Sequence, residues 1–277
     1  MWVNYNGLFF PENALPVSAL DPALCYGVSL FETMRWTGDS VPLLALHRRR
    51  LQAGIKLLGM PLPSFWSEDF LLKEIQNTVN HNRIEGAARV RLQVMPDWDE
   101  SKPDSNSGIR HIILCLPCEP LVFNPLGVHI GIATPAIQPL PPPFCAFKTG
   151  NYLPYFLAIQ AARSRGLDDM LLLNRWGRIG EAATANVFWA QDGTLYTPPL
   201  SEEIVAGVGR SHLIEVLSHN HIPVTETPFT TAALKKADAV FLTNAFRGVR
   251  PVASCEGTKF ENGMAEFFFK KAFSVLT

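Results

Sequence analysis

Phe147-Lys148-Thr149-Gly150-Asn151-Tyr152 lies between two contrasting stretches of the chain. Before it runs a Pro-rich segment, Pro139 to Pro143, in which each proline fixes its own φ and stiffens the approach. After it, Tyr155, Phe156, Ile159 and Ala162 recur at the three-to-four spacing of a helix. Gly150 permits either a close backbone approach or an unusual φ. Lys148 is therefore held at an element boundary, flanked by Phe147 and Tyr152. Composition alone predicts a solvated loop lysine. A lysine kept from water instead has a lowered pKa and becomes an amine nucleophile competent for Schiff-base chemistry. The rest of the chain decides between the two.

With 277 residues the chain has room for two domains. It is 47% hydrophobic and 18% charged with a net charge of −1, which predicts a globular protein with a large core. That balance excludes a nucleic-acid footprint and a polybasic membrane patch. Met1 to Gly7 has neither a basic region nor an apolar run, so no signal peptide is expected, and no apolar run reaches membrane-spanning length. Five scattered cysteines suit a reducing cytoplasm. Cys115-Leu116-Pro117-Cys118 has no second pair at zinc spacing and follows a predicted strand, so these are expected to be core thiols. The seven histidines form no metal signature.

Leu30 to Trp36 is predicted as a strand, with Phe31, Thr33 and Arg35 on one face and Glu32 and Met34 on the other. Tyr26-Gly27 projects a phenol from the loop before it. Leu44 to Met60 is predicted helical, with Leu44, Leu51, Ile55 and Leu58 as its apolar stripe. Arg48, Arg49 and Arg50 interrupt that stripe about 100° apart, so one or two of them at most face a buried site. Ser67 is the predicted N-cap of a helix carrying Leu71, Ile75, Thr78 and Val79. Ala88 to Met95 alternates: Val90, Leu92 and Val94 face one way, Arg89, Arg91 and Gln93 the other. That polar face suits either solvent or an anionic ligand. Asp97 to Gly108 is predicted as a polar loop, Ile109 to Leu116 as a strand. A linker at 119–126 then separates a first domain, 1–118, from a second, 127–277. In the second, Ile179 to Ala190 is predicted extended and places Glu181 among small residues. Gly207-Val208-Gly209 opens a helix, an arrangement whose free N–H groups suit an anion.

In chain order, Tyr26-Gly27, Phe31-Glu32-Thr33, His47-x-x-Arg50-Leu51, Lys148 to Tyr152, Glu181 with Asn186-Val187-Phe188, Gly207-Val208-Gly209-Arg210 and Thr243-Asn244 form a set. The chain resembles the class IV aminotransferase family, the fold-type IV pyridoxal-phosphate enzymes, over about residues 3 to 252. The resemblance implies an α/β (α+β) architecture, with a small N-terminal α/β domain and a larger C-terminal pseudo-barrel domain. It implies pyridoxal phosphate as cofactor. Lys148 would carry it as a Schiff base and move protons, and Glu181 would sit against the pyridine nitrogen. Arg50, the backbone N–H groups of Val208 and Gly209, and Asn244 would hold the phosphate, with Asn186 also on the cofactor side. Tyr26 and Arg91 would lie on the substrate side. Two positions depart from the pattern: many members carry Thr at the places of Gly209 and Ala245.

Within the family, Phe31-Glu32-Thr33-x-Arg35, the three-residue step from Lys148 to Asn151, and Asn244-Ala245 resemble 4-amino-4-deoxychorismate lyases. That pattern makes Thr33 a second catalytic residue and implies a place in folate biosynthesis. A transaminase of a small amino acid, branched-chain or D-, uses the same lysine and stays open, as does a non-catalytic binding protein on the same scaffold. Partners implied are a small amino substrate and a second copy of the chain in a homodimer, with no nucleic acid, membrane or metal. The Asp97 to Gly108 loop is the expected contribution to the neighbour's pocket.

Overall fold

The computed structural model describes residues 1–98, 106–133 and 140–277. The chain divides into two compact units: Met1–Pro120 with Phe147–Asn151, and Leu121–Ala146 with Tyr152–Thr277. The division falls near the expected linker. The lysine segment, however, belongs to the first unit rather than to the second, where the sequence places it.

The first unit is built on five strands, β1 (Trp2–Tyr5), β2 (Leu8–Pro11), β3 (Leu30–Trp36), β4 (Ala88–Trp98) and β5 (Asn106–Pro117), in the order β2-β1-β5-β4-β3. Its helices are α1 (Pro22–Cys25), α2 (Leu44–Leu57) and α3 (Glu68–His81). The core forms where the apolar face of β3 and β4 (Leu30, Met34, Val90, Leu92, Val94) meets Leu51 and Ile55 of α2 and Leu71, Ile75 and Val79 of α3. Ser67 caps α3 by accepting from the Phe70 N–H, with Glu68 and Asp69 in the first turn. Helix α2 stops at Leu57 rather than at Met60. Gly59 adopts a left-handed φ of 66°, and the Met60 N–H returns to the Ile55 carbonyl at 3.1 Å, closing the helix end. The polar stretch expected as a loop over Asp97 to Gly108 is shorter, because β4 and β5 pair as far as Trp98 and Asn106. Its centre, 99–105, and Pro139 of the Pro-rich run lie outside the described residues.

In the second unit the strands are β6 (Val128–Ile132), β7 (Asp169–Leu173), β8 (Ile179–Ala182), β9 (Ala185–Gln191), β10 (Thr194–Thr197), β11 (Val224–Glu226), β12 (Ala239–Asn244), β13 (Gly248–Cys255) and β14 (Thr258–Lys259). Strands β9, β12, β13, β6, β7 and β8 pair in that order, and β8 pairs back onto β9, closing a six-stranded barrel-like sheet. Residues 179–190 form the β8–β9 hairpin. Ala182 and Ala185 pair across a tight turn, and the Ala183 N–H is taken by the Met170 carbonyl.

Alternation sorts the side chains of this sheet. Val187, Trp189, Val240, Leu242 and Leu171 share one core. Their neighbours Phe188 and Phe241 pack against α5 (Val208–His219) and α7 (Gly263–Phe268). Met170 and Leu172 pack against α4 (Leu153–Ser164). A short helix, α6 (Thr231–Leu234), precedes β12.

The lysine segment acts as an extra edge to β3. Thr149 bridges Leu30, the Phe31 N–H donates to the Lys148 carbonyl at 2.8 Å, and the Gly150 N–H donates to the Ser29 carbonyl at 2.8 Å. A β-carbon at Gly150 would collide with Ser29 Oγ and come within 2.6 Å of the Gly27 carbonyl oxygen. Of the two uses open to this glycine, it serves close approach. Gly150→Ala should therefore lower stability by about 1–3 kcal/mol, the range for overpacking. Urea unfolding measures it, and an unchanged midpoint would show that the segment is not pinned to β3.

Candidate active site

In the first unit, β3 divides its side chains between two environments. On the core side, Glu32 is 2% exposed. The Nε of Arg50 donates to Glu32 Oε1 at 2.8 Å, and a second guanidinium nitrogen donates to Oε2. His47 lies one helical turn before Arg50, on the same face of α2. Its Nδ1 is 2.7 Å from Glu32 Oε2. An ionised carboxylate only accepts, so Nδ1 carries the proton. Its Nε2 is buried without a hydrogen-bond partner among the described residues. Burial by itself raises the Glu32 carboxyl. The Arg50 charge and the His47 hydrogen bond outweigh it and hold the group at about 2. Burial pushes His47 down from its ordinary value against the pull of Glu32, and the Lys148 charge adds to the lowering.

The arginine triplet is thus resolved. Arg50 is fixed by a buried carboxylate, Arg48 pairs with the half-exposed Glu68 at 3.2 Å, and Arg49 is exposed.

On the opposite face, Phe31, Thr33 and Arg35 stand across from Gln93, Arg91 and Arg89 in register. The Arg91 guanidinium carbon lies 4.1 Å from the Phe31 ring centre, and Lys148 Nζ lies 5.0 Å from it. Arg91 also donates to Gln93 Oε1 at 3.3 Å, and Gln93 donates to Ser29 Oγ at 3.2 Å. The predicted residues Lys148, Thr33 and Arg91 therefore gather around one aromatic ring and one strand face. Arg35 is engaged elsewhere, on the Glu119 carbonyl at 3.0 Å. Tyr26 ends α1 and is 73% exposed.

In the second unit, Glu181 is 2% exposed and lies on the helix-bearing face of β8, opposite Leu172. Its Oε1 accepts from the Tyr155 hydroxyl at 2.8 Å. Its Oε2 accepts from Asn186 Nδ2 at 3.2 Å and from the Val205 N–H at 3.1 Å. Hydrogen bonds of this kind favour the charged carboxylate. Its field reaches its neighbours: Tyr155 is pushed well up by burial and then by the Glu181 charge, and Cys145 rises to about 11 for the same two reasons.

Asn186 also donates to the Val205 carbonyl at 3.0 Å, and its Oδ1 occupies the place a Gly207 β-carbon would take. It thereby ties Glu181 to the start of α5, where helical geometry leaves the first N–H groups outside the ladder. At Gly209 a β-carbon would come within 2.6 Å of the Asn244 carbonyl carbon and 3.0 Å of the Ala245 nitrogen. The departure from Thr at this position has a steric reason: the end of β12 fills the space. Asn244 donates to the Thr184 carbonyl at 2.9 Å and accepts from the Phe246 and Arg247 N–H groups. Its side chain shapes the turn beside Gly209.

Glu32, His47 and Tyr155 have anchoring parts that the sequence reading assigns to none of them. For Glu32 and His47 a signal exists: strand alternation puts a carboxylate on a core face, which requires a buried partner, and His47 and Arg50 stand at helical spacing. For Tyr155 no signal exists, since its partner is 26 residues away on another element.

These residues fit pyridoxal phosphate. In the first unit a lysine amine lies over an aromatic ring; in the second a buried carboxylate accepts from a phenol, an amide and a backbone N–H, near a helix start where glycines let the backbone approach. The fold is that of a pyridoxal-phosphate-dependent enzyme. The chain belongs to the amino-transferase class IV family, whose model matches residues 29–255. It is 29% identical over 98% of its length to a Methanocaldococcus jannaschii protein provisionally assigned as a branched-chain-amino-acid aminotransferase, covering 93% of that protein. The branched-chain aminotransferase of Thermoproteus uzoniensis, solved with norvaline, superposes with a TM-score of 0.88 at 25% identity. That match spans 100% of this chain and 94% of the other. A Legionella pneumophila protein provisionally assigned as a 4-amino-4-deoxychorismate lyase shares the fold, with a TM-score of 0.81 at 23% identity, over 93% and 96% of the two chains.

The Glu32 pair makes stability depend on pH. A carboxyl held below its ordinary 4.5 contributes stability that is complete above that value and is lost as pH falls towards about 2. Glu32→Gln should cost about 3 kcal/mol at neutral pH, as breaking a buried pair does. It should also decline less steeply than the parent in acid. Urea unfolding across that pH range checks both, and parallel curves would contradict the pairing.

Proposed function

We propose that this enzyme is a 4-amino-4-deoxychorismate lyase. The observation that carries the reading is the strand face where Thr33, the residue that follows the lyase pattern, stands in register with Arg91 beside the Phe31 ring that Lys148 overlies. In the proposed reaction the substrate loses a ring proton and the C–O bond to its enolpyruvyl group breaks. The products are 4-aminobenzoate and pyruvate. When bound, the cofactor supplies an electron sink for the charge developed during bond cleavage.

Each residue then has a task. Lys148 would be the residue that carries the cofactor through its Nζ and the group that moves the proton between the substrate ring and the enolpyruvyl methylene carbon. Glu181 would face the pyridine nitrogen and keep it protonated. Arg50, oriented by Glu32, and the N–H groups of Val208 and Gly209 bind the phosphate. Asn186 acts on the cofactor side by fixing Glu181, and Asn244 closes the phosphate cup through the turn it shapes. Arg91 and Tyr26 receive the substrate, Arg91 at a carboxylate, and the Thr33 hydroxyl serves proton transfer beside it.

A second reading, transamination of a small amino acid, is favoured by the relatives. The M. jannaschii and T. uzoniensis proteins both carry the branched-chain name. One experiment separates the two: aminodeoxychorismate assayed for 4-aminobenzoate and pyruvate, beside amino donors assayed with 2-oxoglutarate. Keto-acid exchange without 4-aminobenzoate would replace the lyase reading.

The working form is inferred to be a homodimer in the cytoplasm, and light scattering that finds an active monomer would refute the dimer.

Lys148→Ala should reduce turnover at least about 100-fold, the lower bound for losing a positioned acid–base group. Borohydride reduction and peptide mapping should place the cofactor on Lys148, and label on another lysine would overturn the assignment. Arg50→Ala should weaken cofactor affinity by about tenfold or more, as loss of a charge-assisted hydrogen bond does, with Arg49→Ala near the parent. Equal losses at both positions would refute the phosphate role.

A further inference from the structure

The donors Val205, Asn186 and Tyr155 reach Glu181 in different ways. Val205 donates from the backbone, and Asn186 is wedged between the Val205 carbonyl and Gly207. Both act on Oε2, whereas Tyr155 is the donor to Oε1. The Tyr155 ring is held in place by stacking on Tyr152, with ring centres 5.1 Å apart and planes 21° from parallel. The donor is a phenol. It strengthens the carboxylate's hold on its charge without adding a positive charge that would cancel it, as a guanidinium would. A carboxylate facing a pyridine nitrogen shares one proton with it. Every donor that stabilises the anionic carboxylate moves that proton towards the nitrogen.

We propose that Tyr155 is a positioning residue that sets the proton balance between Glu181 and the pyridine nitrogen of the cofactor. It fixes the carboxylate by its Oε1 edge and lowers its proton affinity. The inference rests on the reading of Glu181 as the partner of that nitrogen. The carboxylate then keeps the ring protonated, and the ring stays an electron sink, as long as the phenol donates. No change in phosphate or substrate contacts is involved.

The test uses the holoenzyme reconstituted with pyridoxal phosphate isotope-labelled at the ring nitrogen, read by the nitrogen NMR shift across pH. Four proteins are compared: the parent, Glu181→Gln, Tyr155→Phe, and the parent with a ring-fluorinated tyrosine at 155, a stronger donor. Tyr155→Phe should move the ring-nitrogen signal towards the unprotonated position and lower kcat about tenfold, the loss of one hydrogen bond to a charged group. The cofactor dissociation constant should change less than about threefold, since no phosphate contact is lost. The fluorinated protein should move the titration of the signal the opposite way.

If Glu181→Gln leaves the signal at the parent position, the pairing of Glu181 with the ring fails and the inference falls with it. If Glu181→Gln moves the signal and Tyr155→Phe does not, the inference alone is overturned. Should Tyr155→Phe fail to fold, the fluorinated protein decides: an unmoved titration overturns the role of Tyr155.

Discussion

Two backbone hydrogen bonds fix the Lys148 segment, from Phe31 to the Lys148 carbonyl and from Gly150 to the Ser29 carbonyl. They make residues 147–151 part of the first unit, although the chain on either side belongs to the second. Backbone pairing is directional and tolerates little drift. It therefore sets where the Lys148 side chain leaves the backbone, and places its amine over Phe31. The close passage of Gly150 past Ser29 and Gly27 is the steric condition for that pairing. A side chain there would push the segment off the strand and take the lysine with it.

Each unit holds a buried carboxylate, Glu32 in the first and Glu181 in the second, and their surroundings differ. Glu32 is matched by a cation: Arg50 binds it through two nitrogens, and His47 adds a third contact. The result is a guanidinium with a fixed orientation and a histidine kept neutral. Glu181 accepts from a phenol, an amide and a backbone N–H. The first carboxylate is consumed in positioning an arginine.

Small residues near α5 have a physical reason independent of any ligand. Gly207 makes room for Asn186, and Gly209 makes room for the end of β12. The same closeness that excludes side chains exposes the backbone N–H groups of the helix start. The absence of a threonine hydroxyl at Gly209 is thus the result of how tightly β12 passes the helix.

Local pattern determined much of this protein. The period-two alternation of β3 and β4, the stripe of α2, the Ser67 cap and the glycines opening α5 are all short-range properties of the residues concerned. The order of motifs carried the family, the cofactor and Lys148. The tertiary structure decided what depends on distant partners. It put Arg50, which the motif order had already singled out, on the buried Glu32, with Arg48 on Glu68 and Arg49 exposed. It folded Ile179 to Ala190 into a hairpin, because the barrel closes there through β8 and β9. It placed the lysine segment with β3 and brought Tyr155 to Glu181. A sequence specifies periodicity and turn chemistry within a few residues. The partner of a buried charge is set by which elements pack together, and that is decided only when the whole core forms.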